Sequence, residues 1–280
     1  CSREYALQVL KAGEKVGMQL CLFFYLSDQA AHGGKQKSPS GWENYSLEET
    51  AAALKQHTFE TTKYYKDKGL NIDLYEIGNE IDFGITGYSF DTKLYLPGID
   101  IFHDFSTVRQ QIWAKEAVLL KAAIEGVKEV DPEAKIILHI CTTEWPDLVE
   151  AFFQAMIDFE VPYDFAGLSY YPWLKWHPEV PSPSNYLDMS IEAIAKLGKE
   201  TILCEVSFPS STTPLLPIHE VTGYPFTLEG QAEWVHDLLR MAEINPHINT
   251  VFYFYPDNYI VEDCGAASLF INDEHPKPAI

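Results

Sequence analysis

The feature that most constrains the fold is an alternation of strand-like and helix-like segments that continues along the whole chain. Short apolar runs of strand length are each followed by a longer segment in which apolar residues recur with helical spacing. Alternation of this kind predicts a parallel sheet within one domain, which we place at residues 1–280. The strand-like runs are Met18–Tyr25, Leu70–Glu80, Lys135–Ile140, Phe165–Tyr170, Thr201–Glu205 and Val251–Phe254.

The number of strands leaves the architecture open between two α/β folds. A closed (β/α)8 barrel needs eight strands, and the sequence shows about six. One candidate is therefore an open doubly wound sheet, and the other is a TIM-type barrel that lacks its first strands. The chain has no Gly-rich phosphate loop, which weakens the nucleotide-binding form of the open sheet. The helix-like segments are approximately Glu4–Gly13, Ser46–Lys68, Phe105–Val130, Leu148–Phe159, Leu187–Leu197 and Leu228–Ala242.

The charge of the chain limits the partners that it can have. A formal net charge of −21 argues against nucleic acids and anionic membrane surfaces, because both are polyanions. A neutral polysaccharide carries no such penalty, and an aromatic content of 14% supplies rings on which sugars can stack.

No apolar run reaches the roughly 18 residues of a membrane span. The five scattered cysteines form no Cys-x-x-Cys pair, so we expect no metal site.

Two of the predicted strands end in a carboxylate. Gly78-Asn79-Glu80 closes the second strand, and Glu205 closes the strand that begins at Thr201. In a barrel of alternating strands and helices, catalytic groups lie at the carboxyl ends of the strands. Two acids on two such strands are what a glycosidase needs, so we predict Glu80 and Glu205 as a catalytic pair.

The motifs around these acids extend over nearly the whole chain. The sequence resembles the endo-β-1,4-galactanases, a family in the retaining clan of (β/α)8-barrel glycoside hydrolases. The resemblance implies an α/β fold of the TIM type, a (β/α)8 barrel that is incomplete here, with about six β/α units. It also implies that Glu80 is the general acid/base, that Glu205 is the nucleophile, and that no cofactor is required. The motifs that carry it are Ser27-Asp28, Gly34-Lys35-Gln36 with Trp42, Gly78-Asn79-Glu80, Lys135–His139, Gly167–Pro172, Glu205 with Pro209, and Tyr224–Ala232.

Six further residues are candidates for binding the substrate. Asn79 would bond the sugar 2-hydroxyl. Tyr170 lies at a strand end and could bond the nucleophile, although a packed aromatic is the alternative. His139 could reach the cleft, or it could be a satisfied strand histidine. The remaining candidates are Asp28, from the matched Ser27-Asp28 motif, and the possible stacking platforms Trp42 and Trp173.

Several positions depart from the family pattern. The family's aspartate and histidine before Ser27-Asp28 are here Phe23 and Tyr25, and its Tyr-Trp-Glu-Pro on the last strand is Tyr253–Pro256. These positions shape sugar subsites, so the polymer could differ from galactan. Relative to the family, the chain also lacks the first strands. An uncovered sheet edge is normally protected, so we expect a second copy of the chain or a rearranged loop to cover it.

These observations favour a retaining endo-acting glycoside hydrolase that cuts a neutral β-1,4-linked polysaccharide, with β-1,4-galactan first among the candidates. A cellulase-like or mannanase-like hydrolase of the same clan is the closest alternative. A non-catalytic sugar-binding barrel fragment is the alternative from another class. Secretion is inferred from the substrate class alone.

Overall fold

The computed structural model describes residues 2–27, 36–90, 93–94, 96–174, 186–212, 218–257, 265–272 and 275–279. The chain divides into two compact units. Unit 1 consists of Cys1–Cys141 and Glu150–Ala166, and unit 2 consists of Thr142–Val149 and Gly167–Ile280. Each unit is described separately below.

Unit 1 contains the first two predicted strand–helix repeats and the strand that follows them. Its strands β1, β2 and β5 lie next to one another in this order and are parallel, as the alternating pattern predicts. Two elements, α5 and β6, contribute residues to both units. The elements are α1 (Arg3–Lys15), β1 (Cys21–Phe24), α2 (Leu47–Asp67), β2 (Leu74–Ile77), β3 (Gly84–Ile85), β4 (Tyr88–Ser89), α3 (Phe105–Val108), a π-helical turn (Arg109–Trp113), α4 (Ala114–Lys128), β5 (Ile136–Ile140), α5 (Pro146–Asp158) and β6 (Phe165–Tyr170).

Unit 2 continues the alternation. Strand β7 pairs in parallel with β8, and the short strands β9 and β10 form an antiparallel pair. The predicted helices Leu187–Leu197 and Leu228–Ala242 are confirmed with bounds that differ by one or two residues. The elements are α6 (Tyr186–Lys196), β7 (Glu200–Val206), α7 (Leu228–Ile244), β8 (Ile248–Tyr253), β9 (Phe270–Asn272) and β10 (His275–Pro276).

The helices begin where the sequence supplies caps. The predicted capping box of α2 is present, because the Ser46 side chain accepts from the Glu49 N–H and the Glu49 side chain accepts from the Ser46 N–H. Helix α4 packs closely on α2 at Gly126, where a Cβ atom would lie 2.2 Å from the Lys55 backbone oxygen. Among the described residues, no helix combines the length and apolarity needed to cross a membrane.

Strand β1 differs from its prediction. Its continuous apolar run predicted burial on both faces. The structure instead shows alternation, since Leu22 and Phe24 are buried whereas Phe23 is 40% exposed. Helix α1, which precedes β1, has no buried residue. The second face of this strand is therefore not covered by the described part of unit 1.

Candidate active site

The turn that carries Glu80 has an unusual main-chain conformation. Gly78 has a φ of 90°, and a Cβ atom there would lie 2.5 Å from the Ile81 Cγ2 atom, so only glycine fits. Glu80 itself has a φ of 48°, in the left-handed region that costs a non-glycine residue about 1 kcal/mol. Non-glycine residues held in this region cluster at functional sites. At Glu80 the main chain has therefore left the extended conformation of β2.

A buried glutamine fixes the same turn from the side. The Gln36 Nε2 atom donates to the backbone oxygen of Asn79 at 2.6 Å and to that of Glu80 at 3.2 Å. Asn79 is 4% exposed, and its side-chain Oδ1 atom has no hydrogen-bond partner among the described residues. A buried acceptor without a partner is costly unless a ligand satisfies it. The Asn79 Oδ1 atom is therefore available to accept a hydrogen bond, and its contact with a sugar hydroxyl stays a prediction.

The chain beyond Glu80 is anchored by a buried acid. Both Asp82 carboxylate oxygens accept from the Cys141 N–H, and the Asp82 backbone oxygen accepts from the Trp113 indole at 2.8 Å. Trp113 closes the π-helical turn, a feature frequent at functional sites. Glu116 lies fully buried on α4, and burial, with the nearby Asp82 charge, raises the pKa of its carboxyl well above the ordinary value. Burial therefore favours the protonated form of the Glu116 carboxyl.

His139 is placed in a buried polar pair. Its Nδ1 atom lies 2.8 Å from the Glu76 Oε1 atom, and the side chains of His139 and Glu76 are 0% and 8% exposed. Burial and the Glu76 charge also raise the pKa of the nearby Cys21 thiol. Of the two readings that the sequence left open for His139, this pairing matches the satisfied strand histidine. The His139 backbone also accepts from the Ile81 N–H at 2.9 Å, which ties β5 to the Glu80 turn.

Two other candidates belong to the loop that follows β1. Trp42 is half-buried and stacks on Tyr45, with ring centroids 5.8 Å apart and an interplanar angle of 16°. This stacking orders both rings, and Trp42 remains a candidate platform. Asp28 lies outside the described residues.

In unit 2, an irregularity in the β7–β8 ladder coincides with Glu205. Leu203 pairs with Val251 and Val206 pairs with Tyr253, so β7 advances three residues where β8 advances two. An extra residue of this kind is a β-bulge, which commonly redirects a side chain beside an active site. Glu205 is half-buried and lies within this interval.

The Glu205 carboxylate is held by a tyrosine hydroxyl. The Tyr171 hydroxyl donates to the Glu205 Oε2 atom at 2.6 Å, a distance typical of a strong bond to an ionised carboxylate. The sequence offers Tyr170 for this bond, with a packed aromatic as the alternative. Tyr170 instead stacks on Trp234, with ring centroids 6.3 Å apart. Successive side chains of an extended chain point to opposite faces, which explains why the neighbouring residue takes the role.

Trp173 is also placed differently from its prediction. It is 4% exposed, its indole N–H donates to the Ser207 backbone oxygen at 2.7 Å, and its ring packs edge-on against Tyr171. A ring so deeply buried offers no open face to a sugar. Trp173 therefore supports Tyr171 and the segment after β7 instead of forming an exposed platform.

Sequence reasoning missed several residues that the structure brings to these strand ends. Gln36 was noted only as part of a motif, and its contact with the Glu80 turn arises from tertiary structure. Glu76 could have been recognised as an acid inside an apolar strand, Leu74-Tyr75-Glu76-Ile77. Tyr171 could have been weighed equally with Tyr170, because the two are adjacent and only the direction of the chain distinguishes them.

Comparison with known proteins gives a family match over nearly the whole chain. The model of glycosyl hydrolase family 53 matches residues 1–275. An uncharacterized protein of Niallia circulans is 29% identical over 276 residues, which cover 93% of this chain and 69% of that protein. An endo-β-1,4-galactanase of Bacillus subtilis is 24% identical over 262 residues, which cover 90% of this chain. The chain spans 54% of the length of the Bacillus enzyme.

A solved structure supports the fold. A fungal β-1,4-galactanase structure aligns with a TM-score of 0.74 at 21% sequence identity, covering 99% of this chain and 79% of that chain. Together with the family match, this likeness confirms the predicted α/β fold of the (β/α)8 type.

Proposed function

We propose that this chain, which belongs to glycosyl hydrolase family 53, is a retaining endo-acting hydrolase of β-1,4-galactan. The prediction of a glycoside hydrolase is confirmed by the family match. Galactan is the favoured polymer because the Bacillus relative is an endo-β-1,4-galactanase. The observation that carries the proposal is the Glu205 carboxylate, held at a bulge near the end of β7 by the Tyr171 hydroxyl.

In the proposed mechanism Glu205 is the nucleophile. Its carboxylate attacks the anomeric carbon, and the bond to the leaving sugar oxygen breaks as a covalent glycosyl-enzyme ester forms. The Tyr171 hydrogen bond orients the attacking carboxylate and favours its ionised form. A water molecule then cleaves the ester, and the product keeps the starting anomeric configuration.

Glu80 is the proposed general acid/base. It gives its proton to the leaving oxygen in the first step and takes a proton from the attacking water in the second. Retention requires two carboxyl groups about 5–5.5 Å apart across the sugar. The strained turn at Gly78–Glu80 supports this role by setting the direction of the Glu80 side chain. Asn79 would accept a hydrogen bond from the sugar 2-hydroxyl through its unpaired Oδ1 atom.

We also propose that both units act as one catalytic domain, residues 1–280. The family match supports this, because it runs through both units without interruption. Secretion of the enzyme is proposed on chemical grounds, since a polysaccharide does not cross membranes and must be cut where it occurs. Recovery of activity from culture medium instead of cell lysate would test this.

A second copy of the chain is the proposed protein partner. Apolar side chains are exposed at the start of unit 1, where Val9 is 53%, Met18 66% and Phe23 40% exposed. Large apolar side chains exposed on a surface are common at interfaces. Sedimentation equilibrium should show a dimer that a Phe23→Ser substitution weakens, whereas a monomer at every concentration would exclude it.

Reducing-sugar release tests the proposed function. Wild type and Glu205→Gln are incubated with β-1,4-galactan, carboxymethylcellulose, mannan and xylan. We expect wild type to cleave galactan and Glu205→Gln to lose about four orders of magnitude in rate. Cleavage of glucan or mannan alone would replace galactan as the substrate. No cleavage by a folded sample would favour the non-catalytic sugar-binding alternative.

A further inference from the structure

Unit 2 contains a concave site that the proposed mechanism does not use. We name it the Tyr224 groove. It encloses a cavity of about 290 Å³, close to the lower end of the range for small-molecule sites. Its wall combines residues from the end of β6, the first turn of α6, the segment after Ile218, and α7. The residues on which the argument depends are Tyr170, Asp188, Glu220, Tyr224, Trp234 and Asp237.

The floor of the Tyr224 groove is aromatic and rigid. Tyr170 stacks on Trp234 at an interplanar angle of 26°, and Trp234 stacks in turn on Phe208, with centroids 5.2 Å apart. Trp234 is 4% exposed, so the stack is anchored in the core of unit 2. Aromatic rings of this kind pack against the C–H faces of sugars.

The rim carries hydrogen-bonding groups that are already in position. The Tyr224 hydroxyl donates to the Asp237 Oδ2 atom at 2.8 Å. This bond, followed by that from His236, lowers the pKa of Asp237, so its carboxylate is an ionised acceptor. Isolated bridges, Leu174 with Ile218 and Val221 with Tyr224, hold the rim segment. The groove therefore needs little reorganisation to accept a ligand.

Tyr170 adds a donor to the groove. Within the described residues its hydroxyl makes no hydrogen bond. Burial raises its pKa, as do the nearby Glu144, Asp188 and Tyr224, so it remains a neutral O–H. A largely buried hydroxyl without a partner gains free energy when a ligand supplies one.

The lining indicates the class of ligand. No lysine or arginine lines the groove among the described residues, while three carboxylates do, so anions are disfavoured. A neutral polyol with one apolar face matches both the aromatic floor and the acceptor-rich rim. A neighbouring depression of about 590 Å³ shares Thr222, Tyr224 and Asp237 with the groove, so the combined surface extends beyond a single sugar ring.

We propose that the Tyr224 groove is a second saccharide site, which holds a neutral sugar chain apart from the bond that is cut. The inference rests on the proposed function, because it takes the same class of polymer. Tyr171 contacts Glu205, whereas the adjacent Tyr170 contacts the groove, so the two sites lie on different sides of the end of β6. A second contact on one polymer raises the effective concentration of the chain at the catalytic residues.

The test compares a groove variant with a matched control. The groove variant is Asp188→Ala with Glu220→Ala, and Tyr224→Ala is made separately. The control is Glu229→Ala, at an exposed acid in the first turn of α7 that does not line the groove. Binding of β-1,4-galactan is measured by affinity electrophoresis in the Glu205→Gln background. Hydrolysis of polymer and of β-1,4-galactotriose is measured with Glu205 present.

We expect the groove variants to bind galactan about three- to tenfold more weakly than the control for each hydrogen bond lost. Hydrolysis of galactotriose should stay within about twofold of wild type, while KM for the polymer rises. The proposal would be overturned if the groove variants bound galactan as tightly as the control. It would also be overturned if they lost as much hydrolytic activity on galactotriose as on the polymer. Displacement of galactan by the diamine putrescine in the control but not in the groove variants would assign the groove to cations instead.

The experiment separates the two proposals. If wild type cleaves galactan but the groove variants bind it normally, only the groove proposal fails. If wild type cleaves no polymer, the proposed function fails, and a difference in binding between groove and control variants still supports a saccharide site.

Discussion

The two candidate catalytic acids are held in different ways. Glu80 in unit 1 is positioned through its main chain, by a strained turn and by Gln36 bonds to backbone oxygens. Glu205 in unit 2 lies at the bulge of β7, and a tyrosine hydroxyl bonds its carboxylate directly. The bond to Glu205 suits its proposed role, because a nucleophile must stay ionised and aimed at the anomeric carbon.

The largest effects should come from the acids themselves, and they should be unequal. Glu205→Gln removes the nucleophile and should lower kcat on galactan by about four orders of magnitude or more. Glu80→Gln should cost about two to four orders. With an activated aryl galactoside, whose leaving group needs no proton, the first step in Glu80→Gln should recover while Glu205→Gln stays inactive. If Glu80→Gln lost as much activity on the aryl galactoside as on galactan, the proposed division of roles would be contradicted.

The second prediction tests the main-chain turn that positions Glu80. Gly78→Ala combines backbone strain with a clash against Ile81, and should lower the free energy of unfolding by about 2–4 kcal/mol. Gly69→Ala is the control, since Gly69 has a φ of 83° with no atom within 4 Å of an added Cβ, and should cost only about 1 kcal/mol. Urea denaturation measures both. Similar losses would mean that the fit against Ile81 does not matter.

The third prediction tests the side-chain bond that holds Glu205, by substituting two adjacent tyrosines. Tyr171→Phe removes the bond to Glu205 and should lower kcat/KM on galactotriose about 10- to 100-fold, because hydrogen bonds to charged groups contribute about 1.5–3 kcal/mol. Tyr170→Phe should cause a smaller loss, since Tyr170 contacts Trp234. A larger loss for Tyr170→Phe than for Tyr171→Phe would contradict this assignment and indicate that Tyr170 bonds the nucleophile.

The last effect depends on pH and concerns the buried acid behind the Glu80 turn. The pKa of Glu116 is raised above its ordinary value of 4.5, so the unfolded chain releases this proton at lower pH than the folded chain. Below pH 4.5 both states hold the proton. As pH rises above that value, wild type should lose up to about 1.4 kcal/mol per pH unit until the folded-state pKa is passed.

Glu116→Gln should remove that slope, so its stability relative to wild type should increase with pH. Thermal unfolding between pH 4 and pH 8 measures the difference. Glu192→Gln, at an exposed position of α6, is the control and should leave the slope unchanged. A wild-type slope that persists in Glu116→Gln would show that other groups produce it.

Much of the fold follows from the sequence because its buried strands are predominantly apolar. The segments around Tyr75, Ile137 and Leu203 were predicted for that reason, and their parallel pairings are observed. The two-residue strands β3 and β4 were not predicted, because a pair so short has no periodicity to detect. The exposed face of β1 was missed since an apolar run does not reveal what covers it.

The candidate site could likewise be predicted only in part, because the sequence shows which residues end a strand but not which distant residues contact them. An acid that ends an apolar strand is visible in sequence, so Glu80 and Glu205 could be named. The contacts that hold them depend on chain direction and on distant segments. Tyr170 and Tyr171 differ only in the face to which each points, and Gln36 reaches the Glu80 turn from 43 residues away.

The most direct test of the two roles is azide rescue with determination of product stereochemistry. Glu205→Ala and Glu80→Ala are each incubated with an aryl β-galactobioside and azide, and the glycosyl azide is identified by NMR. If Glu205 is the nucleophile and Glu80 the acid/base, Glu205→Ala yields the α-azide by a single inversion. Glu80→Ala then yields the β-azide through the covalent intermediate. The reverse assignment of products, or no rescue of either folded variant, would contradict the account.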